Sequence, residues 1–247
     1  MAETRLKFKL YKFLIKHSPE YIKERCTPKG EESEDIIVSK NVSYGFHGLC
    51  LTASSKLKPL VNPLEPKSFL PGLSYVAFNL QKYSKLLAED FEFGPCIDVG
   101  IAIPIVTSES KHLLYLWKLY NDSQDVVEVA NREWKWPKEY ADIQWRVDEN
   151  THSISVKKDD KLIISFSGKA ASNYRASHET YAALTRWRGE YYSSSLLYKA
   201  RKAKTQLKVT IPASSPISHL PISSDLINET IISNSKMDVT RPKSIKP

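Results

Sequence analysis

Apolar positions along the chain fall into short runs separated by turn-forming residues, and few keep the 3.6-residue period of a helix. Ile36-Ile-Val, Ser74-Tyr-Val-Ala-Phe-Asn-Leu, Val99-Gly-Ile-Ala-Ile-Pro-Ile-Val and Leu113-Leu-Tyr-Leu-Trp-Lys-Leu-Tyr read as strands. Within the third, Pro104 has no N–H for a neighbour and requires a bulge or an edge. Ile143-Gln-Trp-Arg-Val, Ser153-Ile-Ser-Val and Leu162-Ile-Ile-Ser-Phe-Ser are separated by Asp148-Glu-Asn and Asp159-Asp-Lys, the pattern of an antiparallel meander. Gln206-Leu-Lys-Val-Thr-Ile is one more alternating strand. Prolines 59, 63 and 66 predict an extended segment over 57–69 rather than a helix. One short helix is predicted around Val126, Val127, Val129 and Ala130, with Asp122 as its cap, because a carboxylate can accept the first-turn N–H groups.

Strands dominate and helices are short, so the predicted class is α+β, built on a large antiparallel sheet that curls on itself to hide its edges. A single domain is expected over 36–233, because Ile217, Leu220, Leu226, Ile231 and Ile232 are too apolar for a solvated linker. It is preceded by a basic N-terminal helix and loop (1–35) and followed by a flexible basic tail (234–247).

The composition narrows the function classes. The chain has 247 residues, 41% of them hydrophobic, enough for a full core. Its eight glycines form neither G-x-G-x-x-G nor G-x-x-x-x-G-K-[ST], which argues against dinucleotide and P-loop enzymes. Cys26, Cys50 and Cys96 are isolated and no H-E-x-x-H is present, so no metal is expected. Unpaired thiols without a signal-like apolar stretch predict a reducing compartment, the cytoplasm.

The formal net charge of +8 concentrates at the ends of the chain. Residues 1–30 carry eight bases against three acids, and 199–208 carry five bases and no acid, leaving the body mildly acidic. The N-terminal run Leu6-Lys-Phe-Lys-Leu-Tyr-Lys-Phe-Leu-Ile-Lys could lie on a membrane surface; a terminal helix docked through Leu6, Leu10, Phe13 and Leu14 is favoured. The basic, aromatic stretch 185–204 is read as a packed segment with Leu184, Trp187, Tyr191, Leu196 and Leu197 inward, not as a nucleic-acid surface.

Residues 126–142 carry the chemistry: Val-Val-Glu-Val-Ala-Asn-Arg-Glu-Trp-Lys-Trp-Pro-Lys-Glu-Tyr-Ala-Asp. This resembles the signature of the acetoacetate decarboxylase family, in which a helix ending in Gly-Arg-Glu leads through a hydrophobic turn to Pro-Lys. Asp98-Val-Gly-Ile-Ala-Ile-Pro is similar to the family's Glu-x-Gly-x-Ala-Ile-Pro strand, and the resemblance extends over roughly 57–233.

The resemblance implies a β-cone, a curled antiparallel sheet around a large internal cavity with a few short helices, assembled as a homo-oligomer. It implies a cofactor-free lyase whose lysine, Lys138 here, forms a Schiff base with a small keto acid of acetoacetate type or a larger polyketide-type one, in secondary metabolism. Imine-based aldol or dehydration chemistry and a non-catalytic ligand-binding cone are the alternatives. Asp98 matches the pocket acid that orients substrate or moves a proton. Trp134 and Trp136 flank the lysine as apolar, substrate-side groups, and Arg132 and Glu133 match a structural ion pair. An amine with a reference pKa of about 10.4 must lose its proton to attack a ketone, and apolar burial favours that.

The chain departs from the pattern at four places. Glu139 replaces a second lysine, so a cationic neighbour is lost and an acid stands in its place. Asn131 replaces the glycine of the turn, as a residue that tolerates left-handed angles. Asp98 is one methylene shorter than glutamate, and no arginine between 38 and 57 matches the family's carboxylate-binding arginine.

Overall fold

The computed structural model describes residue 30 and residues 35–107, 112–220 and 226–246, with side chains from residue 231 onward in the last stretch. The expected N-terminal helix lies outside the described residues.

The first strand, β1 (Ile36–Ala53), runs into helix α1 (Ser54–Val61), then β2 (Glu65–Pro66), β3 (Leu73–Ala88), β4 (Phe91–Phe93), β5 (Cys96–Val106) and β6 (His112–Asn121). Helix α2 (Gln124–Arg132) leads to β7 (Lys138–Tyr140). The meander β8 (Asp142–Asp148), β9 (Thr151–Lys158) and β10 (Lys161–Lys169) follows. A long hairpin, β11 (Arg175–Trp187) and β12 (Glu190–Lys204), comes next, and β13 (Leu207–Thr210), β14 (Leu226–Thr240) and β15 (Lys243–Ile245) end the chain.

Strands pair in the order β5-β3-β1-β14-β12-β11-β6, and β6 returns to pair with β5, so the main sheet closes into a ring. The β6–β11 seam is parallel and only two residue pairs long, where Ala183 and Leu184 meet Leu114 and Tyr115. Closure removes the unpaired edges that a long antiparallel sheet would otherwise expose. This is the curled sheet with short helices that the strand pattern predicts.

Alternation along the strands separates two apolar faces. On β3 and β5, Val76, Phe78, Leu80, Val99, Ile101 and Ile103 face outward and are covered by the second sheet, β13-β10-β9-β8, through Ile154, Val156, Ile164 and Phe166. Both faces of β5 are thus buried, which is why its sequence reads as one apolar run. Phe46 of β1 lies directly on Gly168 of β10, where an added Cβ would fall 2.6 Å from the ring. The opposite face forms the inside of the cone. There α2 inserts Val126, Val129 and Ala130 against Ala102, Leu116, Leu196 and Met237.

Several details differ from the expectations. Residues 54–61 form a helix despite Pro59, because Leu57 and Val61, one turn apart, are both buried in the core and Pro59 falls near the helix end. The N-cap of α2 is Ser123, whose Oγ accepts from Val126 N at 3.5 Å, while Asp122 instead accepts from Ile97 N at 2.6 Å and ties the helix start to β5. The chain beyond 233 is not a flexible tail. It is the second half of β14, paired with β1 and β12, with Val239 opposite both Val38 and Leu196. Its apolar positions Met237 and Val239 are too few for a composition-based signal, but the ring cannot close without them. In β12, Leu196 and Tyr198 point inward, so Leu197 falls on the other face and is only half-buried, as is Trp187 beside the turn at Arg188 and Gly189. The turns at Glu149 and at Asp159-Asp160 do adopt positive φ, as two-residue hairpin connections require. Among the described residues no helix is long and apolar enough to cross a membrane.

Candidate active site

Asp98 sits on the inward face of β5, opposite Gln81 of β3 and Asn121 of β6. Its carboxylate accepts four hydrogen bonds. Oδ1 takes Lys138 Nζ at 2.5 Å and Asn121 Nδ2 at 2.6 Å. Oδ2 takes Lys40 Nζ at 2.9 Å and the hydroxyl of Tyr83. Four donors saturate the acceptor sites of a carboxylate. The side chains of Lys40 and Lys138 are 1% exposed, and that of Asp98 is 14% exposed.

The turn between α2 and β7 delivers Lys138. Trp134 N and Trp136 N both bond to Ala130 O, which wraps the chain back over the end of the helix. Lys135 takes the left-handed conformation this turn needs, at φ 56°, and not Asn131. Asn131 stays helical, and its side-chain amide donates to Lys138 O at 3.0 Å. β7 then adds in parallel to β6, with Lys138 opposite Leu119. Trp134 and Trp136 are buried, and the Trp136 ring centroid lies 5.4 Å from Lys40 Nζ. Arg132 and Glu133 do pair, at 2.6 Å, but on the surface, where such pairs contribute little.

Glu139 does not face the site. As the next residue on a strand it points to the other side, where it binds Lys118 at 2.7 Å and Lys158 at 2.6 Å. The cationic neighbour of Lys138 is instead Lys40, contributed by β1. Sequence reasoning missed it, although a signal exists: Lys40 occupies the same strand parity as Val38 and Val42, an apolar pattern interrupted by one lysine.

Burial opposes the charge of Asp98, but the ammonium groups of Lys138 and Lys40 and the hydrogen bonds from Lys138 and Tyr83 outweigh it and hold the carboxyl well below the usual carboxylate range. Burial, reinforced by the charge of Lys138 and opposed by Asp98, lowers Lys40 from 10.5 to about 8. The Tyr83 phenol is pushed well above its ordinary value by burial and by Asp98, so it remains a donor. Burial and Asp98 raise the Cys96 thiol to about 11, which leaves it protonated and unreactive. Two lysines thus form ion pairs with one buried carboxylate, an arrangement with one surplus positive charge.

A shallow depression of about 450 Å³ on β11 and β12, lined by residues including His178, Lys199, Arg201 and Asn234, contains neither Asp98 nor Lys138. The buried charges, and not that depression, mark the candidate site. Among the described residues no group of three or more His, Cys, Asp or Glu side chains is placed to hold a metal ion.

The sequence matches no protein-family model and no curated protein. Solved structures do match. Acetoacetate decarboxylase from Legionella pneumophila subsp. pneumophila str. Philadelphia 1 aligns at a TM-score of 0.68 and 12% identity, covering 94% of this chain and 95% of its own. This chain has the acetoacetate decarboxylase fold. A second acetoacetate decarboxylase structure aligns at 0.63 and 16% identity over 90% of this chain and 91% of that one. The enduracididine biosynthesis enzyme MppR, in complex with the condensation product of pyruvate and imidazole 4-carboxaldehyde, has the same fold at 0.56 and 8% identity, over 86% and 90% of the two chains. The coverage extends the likeness well beyond the 57–233 legible in sequence.

Proposed function

We propose that this protein is a cofactor-free enzyme that forms a Schiff base between Lys138 and the ketone of a β-keto acid, and releases CO₂ from it. The observation that carries this reading is the contact between Lys138 Nζ and Asp98 Oδ1, 2.5 Å apart and buried beside a second lysine. The residues that resemble the family's lysine and acid meet in space, and the structural neighbours on this fold are enzymes.

Charge balance supports a carboxylate substrate. The surplus cation of the site is Lys40, which can neutralise a substrate carboxylate and so take the part of the unmatched arginine. Lys138 passes its ammonium proton to the hydrogen-bonded Asp98 and attacks the ketone carbon as a neutral amine; the same proton then returns to the carbinolamine oxygen, which leaves as water, and a protonated imine remains. The site then holds two cations, Lys40 and the iminium, against two anions, Asp98 and the substrate carboxylate. The C–C bond to the carboxylate breaks, its electron pair moves into the C=N system, CO₂ leaves, and a neutral enamine remains. One positive and one negative charge vanish together, so the buried site is neutral before and after the step. Such balance matters because an uncompensated charge in a dry site is expensive. The enamine carbon then takes a proton, and water hydrolyses the product imine to free Lys138. Asp98, saturated by four donors, holds both lysines in place.

Imine-based condensation is the second reading, favoured by the likeness to MppR with its condensation product. It uses the same lysine, and CO₂ release separates the two. The test is borohydride reduction in the presence of acetoacetate, longer β-keto acids and simple β-diketones, followed by peptide mapping. A ketone-dependent adduct on Lys138, absent from Lys138→Ala, is expected. Folded protein that gives no adduct between pH 5 and 9 would leave a non-catalytic binding cone.

A further inference from the structure

After CO₂ leaves, the enamine carbon must gain a proton, and the groups around Asp98 restrict where it comes from. The side chains of Lys40 and Lys138 are 1% exposed, so a protein group is a better source than bulk water. Lys138 carries the enamine nitrogen at that stage, and Asn121 is an amide with no acidic proton. Lys40, Tyr83 and Cys96 are left beside the carboxylate. Tyr83 and Cys96 are poor acids here. Burial and the Asp98 charge raise the thiol to about 11 and the phenol well above its ordinary value, and loss of either proton would set a second anion against Asp98. Lys40 has the opposite balance: burial lowers it from 10.5 to about 8 although Asp98 pulls the other way, and an acid that titrates near the working pH transfers protons most effectively.

Geometry also selects Lys40. An ammonium has three N–H donors, and Lys40 gives one to Asp98 at 2.9 Å and one to the Tyr83 hydroxyl at 3.1 Å, which leaves a third for the substrate. Lys40 and Lys138 meet the same carboxylate, so their nitrogens are neighbours. In the keto-acid reading the third N–H of Lys40 pairs with the substrate carboxylate, which is attached to the carbon that later needs the proton. When CO₂ departs, the ammonium that held it stands beside the vacated position.

We propose that Lys40 is the general acid of the reaction, giving its ammonium proton to the enamine carbon once CO₂ has left. This rests on the Schiff-base reading of Lys138. The transfer turns Lys40 into a neutral amine and the enamine into an iminium, so one positive charge still faces Asp98 and the site stays neutral. Hydrolysis puts both hydrogens of the incoming water on Lys138 as the ketone leaves. Lys40 then recovers a proton from solvent, which reaches the site at Asp98, 14% exposed. Each turnover thus consumes one proton, as conversion of a keto-acid anion into a ketone and CO₂ requires. A guanidinium in the place of Lys40 would hold the carboxylate equally well but would keep its proton.

The test uses 2-butanone, which has no carboxylate for Lys40 to hold. Borohydride trapping and peptide mapping read the imine on Lys138. NMR in D₂O reads exchange of the ketone's α-hydrogens, the reverse of enamine protonation, in which neutral Lys40 takes a proton from the iminium. Exchange by the unaltered protein should rise with pH and level off above about 8. In Lys40→Arg, or in Lys40→Met should the arginine variant fail to fold, exchange is expected to fall about a hundredfold, the low end for a lost general acid or base, while the Lys138 adduct still forms. An adduct with exchange close to the unaltered rate in a folded variant would overturn the role of Lys40 and leave the Schiff base standing. So would an adduct without exchange in the unaltered protein. Loss of adduct and exchange together in a folded variant would place Lys40 in imine formation and overturn its role as the acid. Neither adduct nor exchange in the unaltered protein would overturn the Schiff base and the proposal with it.

Discussion

Lys40 and Lys138, from the first strand of the cone and from the strand after α2, donate to opposite oxygens of the same Asp98 carboxylate at 2.9 and 2.5 Å. Two cations on one anion give the site its surplus charge, its expected preference for anionic ligands, and a cost in stability.

Removing the anion exposes that cost. Asp98→Asn leaves both ammonium groups without their counter-ion, and breaking a buried pair in this way destabilises by about 3–5 kcal/mol. The deficit should shrink at high pH, as the lysines release protons they can no longer hold. Chemical denaturation at pH 7 and pH 10 measures it, and an equal deficit at both would mean that the amines are not what suffers.

Removing one cation should do the opposite. The depression of Lys40 from 10.5 to about 8 corresponds to roughly 3 kcal/mol of unfavourable charge burial at neutral pH. Lys40→Met keeps the Lys138–Asp98 pair and loses two hydrogen bonds, so a net gain on the order of 1 kcal/mol is expected. The same change should raise KM for keto acids at least tenfold. A variant that loses stability and keeps KM would contradict the role assigned to Lys40.

The pH dependence follows from the same group. Between about pH 8 and 10.5 the unfolded chain holds a proton on Lys40 that the folded chain has released, so the Lys40 contribution makes stability rise with pH through this window. Carboxylate binding runs the other way. As Lys40 loses its charge above about pH 8, KM should rise, and Lys40→Arg should move that limb to higher pH because the guanidinium stays charged. Steady-state kinetics from pH 6 to 10 on both proteins reads the shift.

Glu139 offers a control on the site's geometry. Glu139→Lys recreates the paired lysines of the bacterial decarboxylases in sequence, but the new side chain would face Lys118 and Lys158 on the outside of the cone. The Lys138 adduct should form as in the unaltered protein, with stability lower by about 1 kcal/mol from like-charge contacts. A change in adduct yield of tenfold or more would show that position 139 reaches the amine.

At the start of α2, Asp122→Ala should destabilise more than Ser123→Ala. Asp122 makes a 2.6 Å bond to Ile97 N, whereas the Ser123 cap is long at 3.5 Å. About 1–2 kcal/mol against about 0.5 is expected by urea denaturation, given the range for lost caps and charge-assisted bonds.

Much of this protein was legible in its residues. Period-two alternation fixed most strands and the meander, because one buried face leaves a local imprint. The Asn-Arg-Glu…Pro-Lys run and the Asp98 strand pointed to Lys138 and Asp98 through their resemblance to a known pattern. Other features depend on which strands become neighbours. Val38, Lys40 and Val42 carry a period-two signal, but nothing local says that Lys40 meets Asp98, since that contact requires β3 to bring β1 and β5 together. The last strand was unreadable for the same reason: Met237 and Val239 are buried because β1 and β12 lie on either side, not because their own segment is apolar. The direction of Glu139 and the closure of the ring through a two-pair parallel seam likewise arise from long-range pairing, and only the tertiary structure decides them.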